Sequence, residues 1–80
     1  GEPNISNAII AELLALKAES AKMPLQKALR RASRKAFLWP EEATQLVEQN
    51  RPLTELAGVG PSLSRIITEW IERPPSLHNP

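Results

Sequence analysis

Fifteen consecutive residues, Leu53-Thr54-Glu55-Leu56-Ala57-Gly58-Val59-Gly60-Pro61-Ser62-Leu63-Ser64-Arg65-Ile66-Ile67, constrain the fold more than the rest of the chain. Leu53, Leu56, Val59, Leu63, Ile66 and Ile67 are spaced as the facing sides of two helices joined by a short break. Gly58 and Gly60 supply the break, because a residue without a Cβ enters backbone angles closed to the others. Pro61 suits the first turn of a new helix, where its missing N–H is no loss. The N–H groups of Val59, Gly60, Ser62 and Leu63 are then expected to face outward with no intrahelical partner. Amides gathered at a helix start attract anions. The segment predicts helix, tight reversal, helix, with an anion-seeking surface at the reversal.

The remaining periodicity is helical throughout, and no stretch reads as a strand. A first helix is predicted from about Ile5 to Ala21, with Asn4 as its N-cap. Ile9, Ile10, Leu13, Leu14 and Leu16 form its apolar face, and Lys17 falls in the same arc with its stem laid along the core. A second helix runs from Met23-Pro24 to about Leu38, where Trp39-Pro40 stops it. Leu25, Ala28, Leu29, Ala32 and Ala36 share its apolar side, and Lys27, Arg30, Arg31, Arg34 and Lys35 share the other. A third runs from about Pro40 to Gln49, with Glu41 and Glu42 in its first turn, Ala43, Leu46 and Val47 inward, and Asn50 as terminator. Thr54 caps a short fourth helix that ends at Gly58. A fifth runs from Pro61 to about Arg73, with Leu63, Ile66, Ile67, Trp70 and Ile71 on one face. The expected fold is all-α, a four-to-five-helix domain over residues 4–73. Residues 1–3 read as the remnant of a tag on a fragment of a longer protein, and the proline-rich 74–80 as a linker or tail.

Composition narrows the function. Eighty residues make one small domain, too small to enclose a deep cavity for a large substrate. The chain has no cysteine, hence no disulfide framework and no thiolate metal site. No apolar run approaches the length of a membrane span. The net charge of +1 hides an asymmetry. From Ser20 to Pro40 there are six basic residues (Lys22, Lys27, Arg30, Arg31, Arg34 and Lys35) and no acid. Residues 41–55 carry Glu41, Glu42, Glu48 and Glu55 against Arg51 alone. Five positives on one helix face repel one another, so that face serves a polyanion better than it serves the fold. With only Phe37, Trp39 and Trp70 aromatic, no base-stacking platform is available, and both tryptophans are assigned to packing. His78 has no companion ligand, and Glu41 and Glu42 point about 100° apart on a helix and form no catalytic pair.

Met23-Pro24-Leu25, Ala28-Leu29-Arg30-Arg31-Ala32-Ser33-Arg34, Trp39-Pro40-Glu41-Glu42 and Leu53 to Gly60 follow one another in an order that resembles the amino-terminal helix-hairpin-helix domain of family X DNA polymerases. That domain is the small lyase domain of DNA polymerase beta, and the chain looks closest to bacterial versions joined to a PHP phosphoesterase domain. The resemblance covers roughly Asn4 to Arg73. It implies sequence-independent binding of DNA through its phosphates, at Gly58, Val59, Gly60, Ser62 and Leu63 of the hairpin and at Lys27, Arg30, Arg31, Arg34 and Lys35. It also implies a monovalent cation, K+ or Na+, held by the main-chain carbonyls of Thr54, Leu56 and Val59 and bridging to a phosphate.

The family's chemistry does not carry over. Its Schiff-base lysine, on the helix after the hairpin, matches Ile66 here. A second family lysine matches Ser62, and the family's tyrosine on the basic helix matches Leu29. No catalytic residue is therefore assigned. The expectation is a non-catalytic DNA-binding module of a larger DNA-repair or DNA-processing protein, bacterial and cytoplasmic, associated with the nucleoid and covalently linked to a downstream catalytic domain. Two alternatives stay open. One is a protein-interaction or spacer domain that kept the fold, and the other a residual 5′-deoxyribose-phosphate lyase using Lys27 or Lys35.

Overall fold

The computed structural model describes residues 5–75. Asn4 as first cap, the 1–3 remnant, and the tail from 76 with His78 lie outside the described residues. In chain order the elements are α1 (Asn7–Ser20), α2 (Leu25–Ala36), α3 (Ala43–Glu48), a 3-10 turn (Leu53–Glu55) and α4 (Pro61–Glu72). Among the described residues there is no strand, and none of the helices is long and apolar enough to cross a membrane.

α1 starts at Asn7 because Ser6 caps it, its hydroxyl oxygen accepting from the Ile9 N–H at 3.3 Å. Ile10, Ala11, Leu14 and Ala18 form its fully buried stripe. Leu16 does not join them and is 55% exposed, because two residues past Leu14 the helix has turned about 200°. Lys17 is exposed as well. α2 runs antiparallel to α1. Ser33 Oγ donates to the Ala11 carbonyl at 2.7 Å, and Gln26 Nε2 donates to the Ala18 carbonyl at 2.8 Å, closing the carboxyl end of α1.

The buried side of α2 is Leu29, Ala32, Ser33 and Ala36. Leu25 and Ala28, expected inward, are exposed. The Ser33 hydrogen bond lets a polar side chain face α1, which turns the helix so that Leu25 and Ala28 reach its edge. α2 stops at Ala36, two residues before the expected end, and Phe37 and Leu38 form the exit turn. Trp39 is buried, and its indole Nε1 donates to the Ala57 carbonyl at 2.9 Å.

Glu41 and Glu42 precede α3 rather than occupying its first turn. Glu42 Oε1 accepts the Asn7 N–H at 3.0 Å, so its charge sits at the amino end of α1. Asn7 ties the two helix starts together. Its Nδ2 donates to the Glu41 carbonyl at 2.7 Å, and its Oδ1 accepts the Ala43 N–H at 2.8 Å. α3 ends as expected at Asn50, which has φ 60°. The Asn50 N–H donates to the Val47 carbonyl at 3.1 Å and the Arg51 N–H to the Leu46 carbonyl at 2.8 Å, a Schellman closure. Thr54 lies inside the 3-10 turn, and Pro52 holds the cap position given to Thr54. Leu46, Leu53, Leu56, Val59, Leu63 and Ile67 join the α1–α2 core, with Ile66, Trp70 and Ile71 partly buried against it.

Candidate nucleic-acid interface

Gly58 is the pivot of the surface. A turn over Leu56–Val59 is closed by the Val59 N–H donating to the Leu56 carbonyl at 3.1 Å. Gly58 is its third residue, with φ +84°, the angle a type II turn demands there. A Cβ on Gly58 would stand 3.0 Å from Lys35 Cδ and 3.4 Å from Ala32 Cα. Glycine is therefore needed for the turn and again for its approach to α2. The half-buried Lys35 thus lays its aliphatic stem against the turn.

Two expectations for this segment need correction. Gly60 has φ −93° and ψ −176°, ordinary extended backbone imposed by the following proline. Nothing stands within 4 Å of a Cβ built on it. The Val59 N–H is consumed by the turn, so it does not face outward. The outward amides are those of Gly60, Ser62 and Leu63, which have no backbone partner among the described residues. α4 then begins with Ser64 N–H donating to the Gly60 carbonyl at 2.8 Å.

The basic face of α2 divides into two rows. Lys27, Arg30, Arg31 and Arg34 are exposed. Lys27 and Arg31, with Pro24, Ala28 and Gly58, line an open depression of about 350 Å³. A second, of about 420 Å³, shares Pro24, Ala28 and Gly58 and continues past Gly60 to Ser62 and Leu63. The turn, the free amides and the Lys27–Arg31 row thus border one concave surface. Arg30 and Arg34 lie on the other flank, beside a depression of about 190 Å³ lined with Ala15 and Ser33. Among the described residues the ion pairs belong to Arg51, so no carboxylate pairs with any cation of α2.

Arg51 binds the 3-10 turn that precedes the glycine turn, through Glu55. Its guanidinium donates to Glu41 at 2.8 and 3.1 Å, to Glu55 at 2.6 Å and to Gln49 Oε1 at 3.0 Å. The start of α3, its end and the 3-10 turn are so drawn together. These hydrogen bonds, and after them the positive charge, hold the Glu41 carboxyl below its ordinary pKa.

The carbonyls proposed for a cation are not equivalent. That of Leu56 already accepts the Val59 N–H, whereas those of Thr54 and Val59 accept no backbone bond among the described residues. Among the described residues no three His, Cys, Asp or Glu side chains gather as a metal site. Of the positions matched to lyase residues, Leu29 is fully buried, Ile66 lies half-buried against the core and Ser62 is exposed.

Arg65 went unassigned from sequence. It is exposed one turn beyond Pro61 and Ser62, and its position just after the glycine turn was the available signal. No family model matches the chain, and no curated protein or solved structure matches it significantly.

Proposed function

We propose that this chain is a sequence-independent DNA-binding module, a helix-hairpin-helix domain of the kind found at the amino terminus of family X DNA polymerases, lacking their lyase chemistry. The observation that carries the reading is the approach of Gly58 to α2. It joins the depression lined by Lys27 and Arg31 to the one lined by Gly60, Ser62 and Leu63, and among the described residues no carboxylate pairs with either cation. Amide donors at a helix start and mobile cations are both phosphate ligands, and neither reads bases. Lys35, whose stem packs against Gly58, adds a further positive charge next to the turn. A K+ or Na+ ion at the Thr54, Leu56 and Val59 carbonyls would add a charge without any side chain. The module would belong to a larger bacterial DNA-repair or DNA-processing protein in the cytoplasm, its catalytic domain supplied elsewhere in that protein.

Titration of a fluorescent DNA at two salt concentrations tests this. Affinity is expected to fall steeply with salt and to be the same for unrelated sequences. Weak binding without salt dependence would instead support a protein-interaction domain. Phe37 and Leu38 favour that second reading, since they are adjacent and 62% and 83% exposed.

A further inference from the structure

α2 is a ridge between two valleys, and its cations are divided between them. At about 100° per residue the order around the helix is Arg30, Arg34, Lys27, Arg31, Lys35, an arc of about 140°. Leu29 and Ala36, both buried, lie opposite its centre. One end of the arc borders the valley shared with the glycine turn, through Lys27 and Arg31. The other borders the valley toward α1, through Arg30 and Arg34. Glu12 and Glu19 on α1 are exposed, yet neither pairs with those arginines. The Ser33 hydroxyl between the two arginines donates to the Ala11 carbonyl and carries no charge to offset theirs. A single phosphate strand seated in the valley of the turn does not occupy the depression that Arg30 and Arg34 line on the other flank.

A polyanion that matches both rows has two strands of phosphate with a gap between them wide enough for a helix. The major groove of duplex DNA, about 12 Å wide, admits a helix, whereas the minor groove, about 6 Å wide, does not. We propose that α2 enters the major groove of duplex DNA. One strand lies in the valley of the turn, held by Lys27, Arg31 and the amides of Gly60, Ser62 and Leu63. The other lies in the α1 valley, held by Arg30 and Arg34. This rests on the phosphate-binding function and assigns that site its substrate class, a two-stranded groove rather than one backbone.

The test compares a duplex with a single strand of equal length. Lys27→Gln with Arg31→Gln is expected to weaken binding to both. Arg30→Gln with Arg34→Gln is expected to weaken only the duplex, its slope of log affinity against log salt shrinking by about 0.9 for each phosphate no longer neutralised. Circular dichroism melts check that both exposed double variants stay folded. The unaltered protein supplies a second measurement, on a duplex whose pyrimidines carry bulky C5 substituents that fill the major groove; affinity for it should drop. Equal loss on single strand and duplex for the Arg30/Arg34 variant, no loss on duplex, or unchanged affinity for the filled groove would each overturn the groove assignment. Failure of the unaltered protein to bind either probe would instead remove the phosphate-binding function itself.

Discussion

Gly58 and Gly60 stand two positions apart and do different things. Gly58 holds φ +84° with Lys35 and Ala32 against the space a side chain would take. Gly58→Val is expected to cost about 1–2 kcal/mol from left-handed backbone alone, and more from the crowding against α2. Gly60 has an angle open to any residue, and its Cβ would enter open space. Gly60→Val should therefore leave the melting temperature nearly unchanged while crowding the amides beside it, so DNA affinity falls in a protein that is still folded. Normal affinity in that variant would move the phosphate site off the turn. Asn7 carries a purely structural role. Asn7→Ala strips the partner from the buried Ala43 N–H and is expected to cost about 1–3 kcal/mol. Chemical denaturation reads that loss directly, and a change below a few tenths would show that the two helix starts are joined by other means.

α2 and α4 face the same valley with different chemistry. α2 offers side-chain charge, and α4 offers main-chain donors but no amine. Ile66, turned onto the core, is the position that the resemblance matches to the nucleophile of the family X lyases. Borohydride treatment of the protein with an abasic DNA is accordingly expected to trap no adduct, even though the Lys27 amine borders the depression. A trapped species abolished by Lys27→Ala or Lys35→Ala would restore a catalytic role to α2. The helix can be recharged without loss of fold, since its exposed cations form no ion pair among the described residues. Lys27→Glu with Arg31→Glu should keep the melting profile and lose most DNA affinity at low salt.

Arg51 ties Glu41, Gln49 and Glu55 to one another at the surface around α3. Its hydrogen bonds lower the pKa of Glu41 from the ordinary 4.5. A carboxyl whose folded pKa lies below its unfolded one adds stability above the unfolded value and loses it as pH falls through the folded one. The melting temperature is therefore expected to drop on acidification below pH 4.5. Arg51→Gln, which removes the cause of the shift, should flatten that part of the curve. Identical acid profiles for the two proteins would show that other carboxylates govern acid unfolding. Because the network anchors the 3-10 turn, the same variant should also loosen the valley and weaken DNA binding modestly at neutral pH.

Helix positions, the glycine reversal and the one-sided charge of α2 were legible in the chain because each depends on neighbours within a few residues. Apolar spacing, Pro61 at a helix start, Asn50 in the left-handed conformation and runs of like charge all act locally. What the sequence alone left open are facts about which helix meets which. Leu25 is as apolar as its buried neighbours, yet only the antiparallel packing of α1 with α2, through Ser33 and Gln26, shows that it lies outside the core. Glu42 reads as a cap for its own helix but sits at the amino end of α1, because Asn7 brings the two starts together across 35 residues. Gly58 and Gly60 look alike until α2 closes on one of them. The division of Lys27, Arg31, Arg30 and Arg34 into two rows arises in the same way, from a turn packed on one flank of α2 and a helix on the other. Local backbone preference is written residue by residue. Rotation of a helix about its axis is settled only when its neighbours compete for the same face.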